Sequence, residues 1–225
     1  MTQNCEVENF TTIVTDQQFL GRGQAGNKWV SEPFKNLIFS TFICFNNLPV
    51  TDKRYLNFAV SLAVFDTLKA YKIFNLKIKW PNDIMSANKK LCGILIENSI
   101  QKKKIASSVV GIGINVNQEI FPKNLQTASS IKNSIQKEVH LEELLKNILT
   151  SLQKYIALLE HKKFFLLEKQ YLKVLYKKGV PTAFKNLKNK LFMGIVKGVS
   201  ANGSLQVELE NGAIKEFEIK EIKFL

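Results

Sequence analysis

Strand-forming segments joined by short polar turns fill the middle of this 225-residue chain. Residues 76–80 alternate apolar and polar side chains, and residues 84–100 contain two such segments around a polar turn. A lysine-rich turn at 101–104 leads into a further apolar segment at 105–116. Short turns between strands favour antiparallel neighbours, so the sequence predicts a meander at the centre of the fold.

Patterns typical of helices flank these strands. Residues 52–74 and 140–178 carry apolar side chains every three or four positions, which predicts amphipathic helices. Residues 11–15 and 36–45 are short apolar segments of strand length. Strands with flanking amphipathic helices indicate an α/β (α+β) domain.

The character of the sequence changes at residue 179. Beyond it, short strand-like segments alternate with Asn-Gly pairs, which are typical of hairpin turns. The strand-like segments are residues 191–199, 205–209 and 214–219. We therefore predict two domains, residues 1–178 and 179–225, the second being a small all-β module.

Histidine and cysteine are too scarce for the sites they usually build. The two histidines lie in or beside the helical pattern at 140–178, which argues against Ser-His-Asp, Cys-His and histidine-based metal sites. Cys5, Cys44 and Cys92 are odd in number and form no C-x-x-C pair. We expect reduced thiols rather than a disulfide framework or a zinc site, so Lys, Arg, Asp, Glu or the backbone must supply any chemistry.

The net charge of +13 comes almost wholly from lysine, with 30 Lys against 2 Arg. Arginine is the preferred residue for bidentate phosphate and base recognition, so a lysine bias on solvated faces explains the charge better than specific DNA binding. No apolar run approaches the roughly 18 residues of a membrane span, and the polar N-terminus resembles no leader peptide. We expect a cytoplasmic protein that binds neither a membrane nor a specific DNA.

Three of the eleven glycines fall within residues 21–26, beside Arg22 and shortly before Trp29. The spacing is formally G-x-G-x-x-G, but Pro33 follows where a dinucleotide-binding helix would continue, and no kinase motif follows. Such glycines let backbone N–H groups approach an anion, Arg22 adds a charge, and Trp29 can stack on a planar ring. Phosphate and adenine are the ligands this pattern favours. A tight structural turn with a core tryptophan is the alternative.

A second cluster, Lys79-Trp80-Pro81-Asn82-Asp83, runs from a strand into a turn. Pro81 fixes the backbone there, so the Asn82 amide and the Asp83 carboxylate are held at the tip. These residue types suit a polar site, although an ordinary Asx-type turn explains them equally well.

Two further segments carry glycines within apparent strands. In KKLCGILIE, residues 89–97, period-two alternation places Gly93 on one face and Lys90 on the other. A glycine inside a strand indicates the close approach of a ligand or another backbone. The segment GIGINVN, residues 111–117, is thinned by two glycines and ends in amides, and alone it is a weak signal.

Taken in this order, GRGQAGNKW, KWPNDIM, KKLCGILIEN and VVGIGINVN resemble the biotin protein ligase family. The resemblance runs from about residue 11 to residue 117 and resumes in the C-terminal module. It implies a catalytic domain like that of class II aminoacyl-tRNA synthetases, with a mixed sheet and flanking helices. It also implies a small C-terminal SH3-like β-barrel.

The same resemblance implies an ATP- and Mg²⁺-dependent ligase that converts biotin to biotinyl-5′-AMP and transfers it to a lysine of a biotin carboxyl carrier protein. Lys90 would bind the biotin carboxylate and the α-phosphate, Arg22 would close over them, and Asp83 would orient or deprotonate the incoming lysine. The implied biotin-binding residues are Gln18, Gly21, Arg22, Lys90 and Gly93, and the implied nucleotide-binding residues are Gly23, Gln24, Trp29, Asn82 and Asn115. No resident metal site is implied, and a homodimer is compatible with the family.

Three departures from the family pattern bear on these expectations. Ala25 stands where many relatives have a basic residue, which would weaken retention of the adenylate. No winged-helix segment is expected, and no Ser-Thr-Asn motif precedes Thr11, which suggests a truncated reading of the gene or an altered biotin pocket. A lipoate-ligase-like enzyme, or a catalytically weak module that binds a carrier protein or nucleic acid, are the alternatives.

Overall fold

The computed structural model describes residues 7–125 and 127–225. Its strands are β1 (Thr12–Thr15), β2 (Gly21–Arg22), β3 (Lys28–Trp29), β4 (Leu37–Pro49), β5 (Leu76–Lys79), β6 (Asp83–Ser86), β7 (Lys89–Gln101), β8 (Lys104–Ile114), β9 (Pro181–Asn186), β10 (Leu191–Val199), β11 (Leu205–Leu209), β12 (Ile214–Phe217) and β13 (Ile222–Phe224). Its α-helices are α1 (Lys53–Ala70), α2 (Ile131–Ile135), α3 (Leu141–Glu160) and α4 (Phe164–Val174).

A six-stranded sheet in the order β1-β4-β8-β7-β6-β5 forms the centre of the fold. Its neighbouring strands are all antiparallel, which confirms the α/β class and the central meander but not the mixed sheet that the resemblance implied. The reason is local. Short turns at Ala87, Lys102 and Lys103, with positive φ values of 50°, 46° and 63°, reverse the chain between successive strands.

Helices α1, α3 and α4 pack on one another and against the main sheet. The helix predicted at 52–74 is α1, and the Phe58 ring in it stacks on Tyr171 of α4 with centroids 4.1 Å apart. The helical prediction for 140–178 is wrong as a single element, because the chain turns between α3 and α4 at Lys162, where φ is 54°. This break lets α4 fold back so that Tyr171 is fully buried.

The C-terminal residues form a separate five-stranded antiparallel sheet in the order β12-β11-β10-β9-β13. The predicted strands at 191–199 and 205–209 match β10 and β11, and the third ends at Phe217. Gly203 and Gly212 of the two Asn-Gly pairs have φ values of 92° and 80°, which favour glycine. The small β-module is therefore present, and the domain boundary at 179 stays a prediction.

The two sheets meet beside the turn that follows β5. Trp80 is buried, and its Nε1 donates to the Gly203 carbonyl oxygen at 2.9 Å. Arg54 at the start of α1 donates to the Val199 carbonyl oxygen at 3.3 Å. These contacts fix the C-terminal module next to the Lys79–Asp83 cluster.

The cysteines depart in part from expectation. Cys92 is a buried free thiol as expected, whereas Cys44 is disulfide-bonded, and Cys5 lies outside the described residues. Spacing along a chain does not show which cysteines approach within bonding distance, so the sequence could not settle the state of Cys44. None of the described helices is both long and apolar enough to cross a membrane.

Candidate active site

A cleft over the main sheet has a floor that two glycines keep thin. Gly93 of β7 and Gly113 of β8 lie directly opposite each other, and the Trp29 indole rests on both. A Cβ atom on Gly113 would come within 2.6 Å of Trp29 Cε2, and one on Gly93 within 3.2 Å of Trp29 Cζ3. Glycine at these positions therefore creates a flat seat for a planar ring.

The glycine-rich segment is a small hairpin rather than the start of a helix. Gly21 pairs with Trp29 and Arg22 with Lys28, and the Gly23 amide donates to the Asn27 carbonyl oxygen at 2.7 Å. A Cβ on Gly21 would overlap the Trp29 carbonyl oxygen and lie 2.8 Å from Oε1 of Gln18. The hairpin thus holds Trp29 over the cleft, which agrees with the exclusion of a dinucleotide-binding turn.

Lys90 enters the cleft because β7 contains a bulge. In the pairing of β6 with β7, Met85 lies opposite Lys90 and Ile84 lies opposite Cys92. Leu91 of β7 therefore has no partner in β6 and forms the bulge. A bulge interrupts the alternation of faces, so Lys90 Nζ would lie 3.2 Å from a Cβ on Gly93. The assignment of Lys90 and Gly93 to opposite faces is therefore wrong, because strict alternation does not hold across this bulge.

Asp83 is the ionic partner of Lys90. Lys90 Nζ lies 2.6 Å from Asp83 Oδ1. Both side chains are partly shielded from solvent, with exposed fractions of 34% and 22%. The ammonium group also lies 5.7 Å from the centroid of the Trp29 ring. Lys90 is therefore positioned between its carboxylate partner and the cleft.

Asn82 is held by the strand next to it. Its Nδ2 donates to the Ile94 carbonyl oxygen at 2.5 Å, and the Ile94 amide donates to the Asn82 carbonyl oxygen at 3.0 Å. Asn57 of α1 donates to the Pro81 carbonyl oxygen at 2.8 Å. The turn is thus fixed from two sides. Of the polar atoms in the Asn82 side chain, Oδ1 has no described protein partner.

Arg22 stands at the rim of the cleft. Its guanidinium group pairs with Glu97 at 3.1 Å, and the two side chains are 74% and 49% exposed. An exposed ion pair of this kind contributes little to stability, so Arg22 is free to exchange Glu97 for an anionic ligand.

The cleft encloses a volume of about 120 Å³ and is open to solvent at its mouth. Eight of the predicted site residues line it: Gln18, Arg22, Gly23, Gln24, Trp29, Asn82, Lys90 and Gly93. Gly21 faces the groove beneath the hairpin instead, and Asp83 reaches the cleft through Lys90. Residues of β4, chiefly Ile38 and Ser40, also line the cleft and were not predicted. The sequence of a buried strand does not indicate which of its faces borders a ligand.

Asn115 does not line the cleft. It is buried, and its Nδ2 donates to the Ser129 carbonyl oxygen at 3.0 Å. The Ser129 amide in turn donates to the Lys90 carbonyl oxygen at 3.0 Å, and the Lys90 amide donates to the Thr127 carbonyl oxygen at 2.7 Å. The implied nucleotide-binding role of Asn115 stays a prediction, and in this structure its side chain supports the backbone of Lys90 through Ser129.

Burial shifts the pKa of two groups beside the cleft, Cys92 and Lys79. Desolvation raises the pKa of the Cys92 thiol well above its usual range, although the charge of Lys90 opposes that shift. Desolvation also lowers the pKa of Lys79, and the Asp83 carboxylate opposes that change. Cys92 is therefore neutral and unreactive beneath the floor, so nucleophilic thiol chemistry is not available there.

Comparisons with known proteins place this geometry in a family. Residues 3–115 match the profile of the Biotin/lipoate A/B protein ligase family. The chain is 29% identical over 212 residues to the bifunctional ligase/repressor BirA of Bacillus spizizenii, which covers 91% of this chain and 63% of that protein. It is 33% identical over 106 residues to the biotin–[acetyl-CoA-carboxylase] ligase of Paracoccus denitrificans, covering 46% of this chain and 43% of that enzyme.

Solved structures agree with these sequence matches. The biotin protein ligase from Aquifex aeolicus in complex with biotin and ATP superposes with a TM-score of 0.79 at 27% identity, covering 99% of this chain and 91% of that chain. This chain spans 63% of the length of the Bacillus relative. Because the family profile covers half of the chain and the fold agrees, the chain belongs to the biotin/lipoate A/B protein ligase family.

Proposed function

We propose that this protein is an ATP-dependent biotin protein ligase. Its first step joins the biotin carboxylate to the α-phosphate of ATP, forming biotinyl-5′-AMP and releasing pyrophosphate. Its second step moves the biotinyl group to a lysine amine of a biotin carboxyl carrier protein and releases AMP. The observation that carries the proposal is that Lys90, the glycine floor and the Trp29 hairpin share one cleft. The Aquifex aeolicus relative binds biotin and ATP.

Lys90 is the proposed electrostatic centre of the first step. Attack by a carboxylate on a phosphate brings two anions together and adds negative charge to the phosphoryl oxygens. A fixed ammonium group in a partly enclosed site stabilises that charge more strongly than water does. The bulge at Leu91 and the bonds from 127–129 hold the Lys90 backbone, so this charge is already in place before the substrates arrive.

The hairpin is the proposed cover of the reaction. Gln18 and Gly21 would lie on the biotin side, and Gly23, Gln24 and Trp29 on the nucleotide side. Trp29 already rests on a flat floor, and its Nε1 is buried without a described partner. An adenine ring could stack against the indole there. Arg22 would leave Glu97 and close over the phosphate, which excludes water from the adenylate.

Asp83 is the proposed positioning group for the second step. A carrier lysine must lose its proton before its amine can attack the acyl carbon. Asp83 carries a carboxylate within 2.6 Å of Lys90, so it can orient an incoming ammonium group or accept a proton from it once Lys90 engages the phosphate. Mg²⁺ enters this scheme as part of the substrate, Mg·ATP. The described residues include no group of three acidic, histidine or cysteine side chains that would form a resident metal site.

The test is transfer of biotin to a purified carboxyl-carrier domain with ATP and Mg²⁺, followed by intact mass. We expect the mass of one biotinyl group to appear with the wild-type protein and to fall at least about 100-fold in rate with Lys90→Ala. Lys89→Ala is the matched control, because it removes the same charge from the neighbouring exposed position, and we expect a rate within about twofold of wild type.

Two outcomes would contradict the proposal. Transfer that survives Lys90→Ala would remove Lys90 from the chemistry. A mass gain with lipoate and none with biotin would assign the lipoate branch of the family instead. The folded state of each variant is checked by circular dichroism, so that a loss of transfer is read as a loss of chemistry.

A further inference from the structure

Lys79 occupies an aromatic cage at the back of the candidate active site. It is the last residue of β5 and stands opposite Asp83 in the antiparallel pair. Its ammonium nitrogen lies 5.1 Å from the centroid of the Phe224 ring and 5.8 Å from that of Tyr176. These two rings meet edge to face, with centroids 5.8 Å apart at 61°. The faces of aromatic rings attract a cation at these distances.

The cage is built by parts of the chain far from Lys79 in sequence. The Tyr176 amide donates to the Ile78 carbonyl oxygen at 2.8 Å, and the Tyr176 hydroxyl donates to Asn88 Oδ1 at 2.8 Å. Phe224 belongs to β13 and packs against Phe184 with ring centroids 5.0 Å apart. The position of the Lys79 ammonium group is therefore set by the C-terminal sheet and by the segment that leads into it.

Asp83 has a lysine as neighbour on each adjoining strand. Lys90 contacts its carboxylate at 2.6 Å, whereas Lys79, its register partner on β5, forms no ion pair with it and interacts with its charge at longer range. The three groups together carry one net positive charge. Lys90 lines the cleft, whereas Lys79 and Asp83 do not. The cluster therefore presents the Lys90 cation to the cleft and keeps a second cation on the neighbouring strand, outside the cleft.

We propose that Lys79 is a positioning residue that compensates the Asp83 carboxylate, so that Lys90 can leave Asp83 and bind the anionic groups of the substrates. This inference rests on the proposed ligase function. Without Lys79, transfer of the Lys90 ammonium to a phosphate would leave a partly buried carboxylate without a compensating cation, which is strongly unfavourable.

The C-terminal sheet takes part in this arrangement through Phe224. If that ring shifts, the Lys79 ammonium loses one face of its cage and is no longer fixed beside Asp83. The C-terminal module would thus affect substrate affinity without contacting substrate through this pair. The effect should appear in the KM for ATP rather than in the rate of the chemical step.

The experiment measures kcat and KM for ATP in biotinyl-5′-AMP formation by four variants. We expect Lys79→Met to raise the KM for ATP about tenfold with a much smaller change in kcat, and Phe224→Leu to raise it about threefold. Lys79→Arg retains a cation that stacks on aromatic rings, so we expect a KM within about threefold of wild type. Lys77→Met is the matched control, since Lys77 lies two residues earlier in the same strand, and its KM should not change.

A double-mutant cycle identifies the partner. Since Lys79 acts through Asp83, adding Lys79→Met to Asp83→Asn should change the dissociation constant for ATP less than about twofold, by calorimetry. An effect of Lys79→Met that persists in the Asp83→Asn background would overturn the proposal. So would a lowered melting temperature with an unchanged KM, because that result shows a purely structural lysine.

A second measurement separates this inference from the proposed function. Acetylation of lysine amines by a small reagent, located by peptide mass, reports the accessibility of Lys79 without any catalytic turnover. We expect Phe224→Leu to raise the labelling of Lys79 severalfold and to leave that of Lys77 unchanged. A wild-type protein that makes no biotinyl-5′-AMP would refute the proposed ligase and this role with it. Equal labelling of Lys79 in the wild type and in Phe224→Leu would refute the role of the aromatic cage and leave the proposed ligase function standing.

Discussion

A single methyl group added to the floor of the cleft should separate the role of Trp29 from the stability of the sheet. In Gly113→Ala the new Cβ would stand 2.6 Å from Trp29 Cε2 and 2.8 Å from Cζ2. Carbon atoms in contact prefer separations of about 3.5 Å or more, so the indole must retreat by about 1 Å. The backbone cannot yield instead, because Gly113 is paired with Ile38 on one side and Gly93 on the other.

In Gly113→Ala, the cost of overpacking is partly offset by the better strand propensity of alanine. The loss of ATP affinity has no such offset. Overpacking costs about 1–3 kcal/mol, and alanine is better than glycine inside a strand by about 0.5–1 kcal/mol. We therefore expect the free energy of unfolding to fall by no more than about 2.5 kcal/mol. Loss of a stacking seat for a base costs about 1–3 kcal/mol, so the affinity for ATP should fall about tenfold or more.

Gly111→Ala is the matched control in the same strand. Its Cβ would lie 3.5 Å from the Leu95 carbonyl oxygen and 3.7 Å from Ser40 Oγ, which are ordinary contacts. We expect this variant to gain about 0.5–1 kcal/mol in stability. Gly111 also lines the cleft, but its methyl group meets no atom of Trp29, so the indole should keep its place. The two variants have the same change in composition, so they differ only in what the methyl group meets.

The assay combines urea unfolding, tryptophan emission and calorimetric titration with ATP. Displacement of the indole into solvent should shift emission to longer wavelength in Gly113→Ala and not in Gly111→Ala. A Trp29→Phe variant shows which part of the signal comes from Trp29 rather than from the buried Trp80. The reasoning is refuted if Gly113→Ala leaves both the emission and the dissociation constant unchanged.

Three further expectations concern the fold and its buried groups. Asn117 accepts a hydrogen bond from the Val139 amide at 3.0 Å and donates one to its carbonyl oxygen at 2.9 Å, so Asn117→Ala should lower the free energy of unfolding in urea by about 3 kcal/mol. The Tyr155 hydroxyl bonds to the Asp66 carboxylate, and Tyr155→Phe should lose about 1.5–3 kcal/mol in the same measurement. Burial raises the pKa of the Cys92 thiol, so iodoacetamide at pH 8 should label Cys92 only in denaturant, and rapid native labelling would contradict its placement.

The sequence was most informative where local chemistry decides the structure. The Asn-Gly turns predicted β10 and β11 to the residue, because a type of turn that requires positive φ fixes where each strand must end. Pro33 excluded a dinucleotide-binding helix, and the segment is a hairpin. The break at Lys162 was missed, since the apolar periodicity continues through a non-glycine residue that takes positive φ.

The site could be predicted as a set of residues but not as an arrangement. Of the eight predicted residues that line the cleft, seven come from three of the four motifs, and Gln18 lies outside all four. Their relative placement depends on the bulge at Leu91, which adds no unusual residue to the sequence. The partnership of Lys79 with Phe224 joins residues that are far apart in the sequence, so no local pattern could reveal it. The bulge and the Lys79–Phe224 contact are both set by tertiary packing, which the periodicity of the sequence does not encode.

The bulge and the Asn115 network together explain why two separate motifs are needed to position one lysine. The bulge turns the Lys90 side chain toward the cleft, but it also removes the regular ladder on which its backbone would rely. The 127–129 segment replaces that ladder with bonds to the Lys90 amide and carbonyl oxygen, and Asn115 holds the segment through Ser129. A side chain outside the cleft thus supports the backbone of the lysine that lines it. If Lys90 acts as proposed, the backbone held by both motifs gives its ammonium group a fixed base from which to reach the substrates.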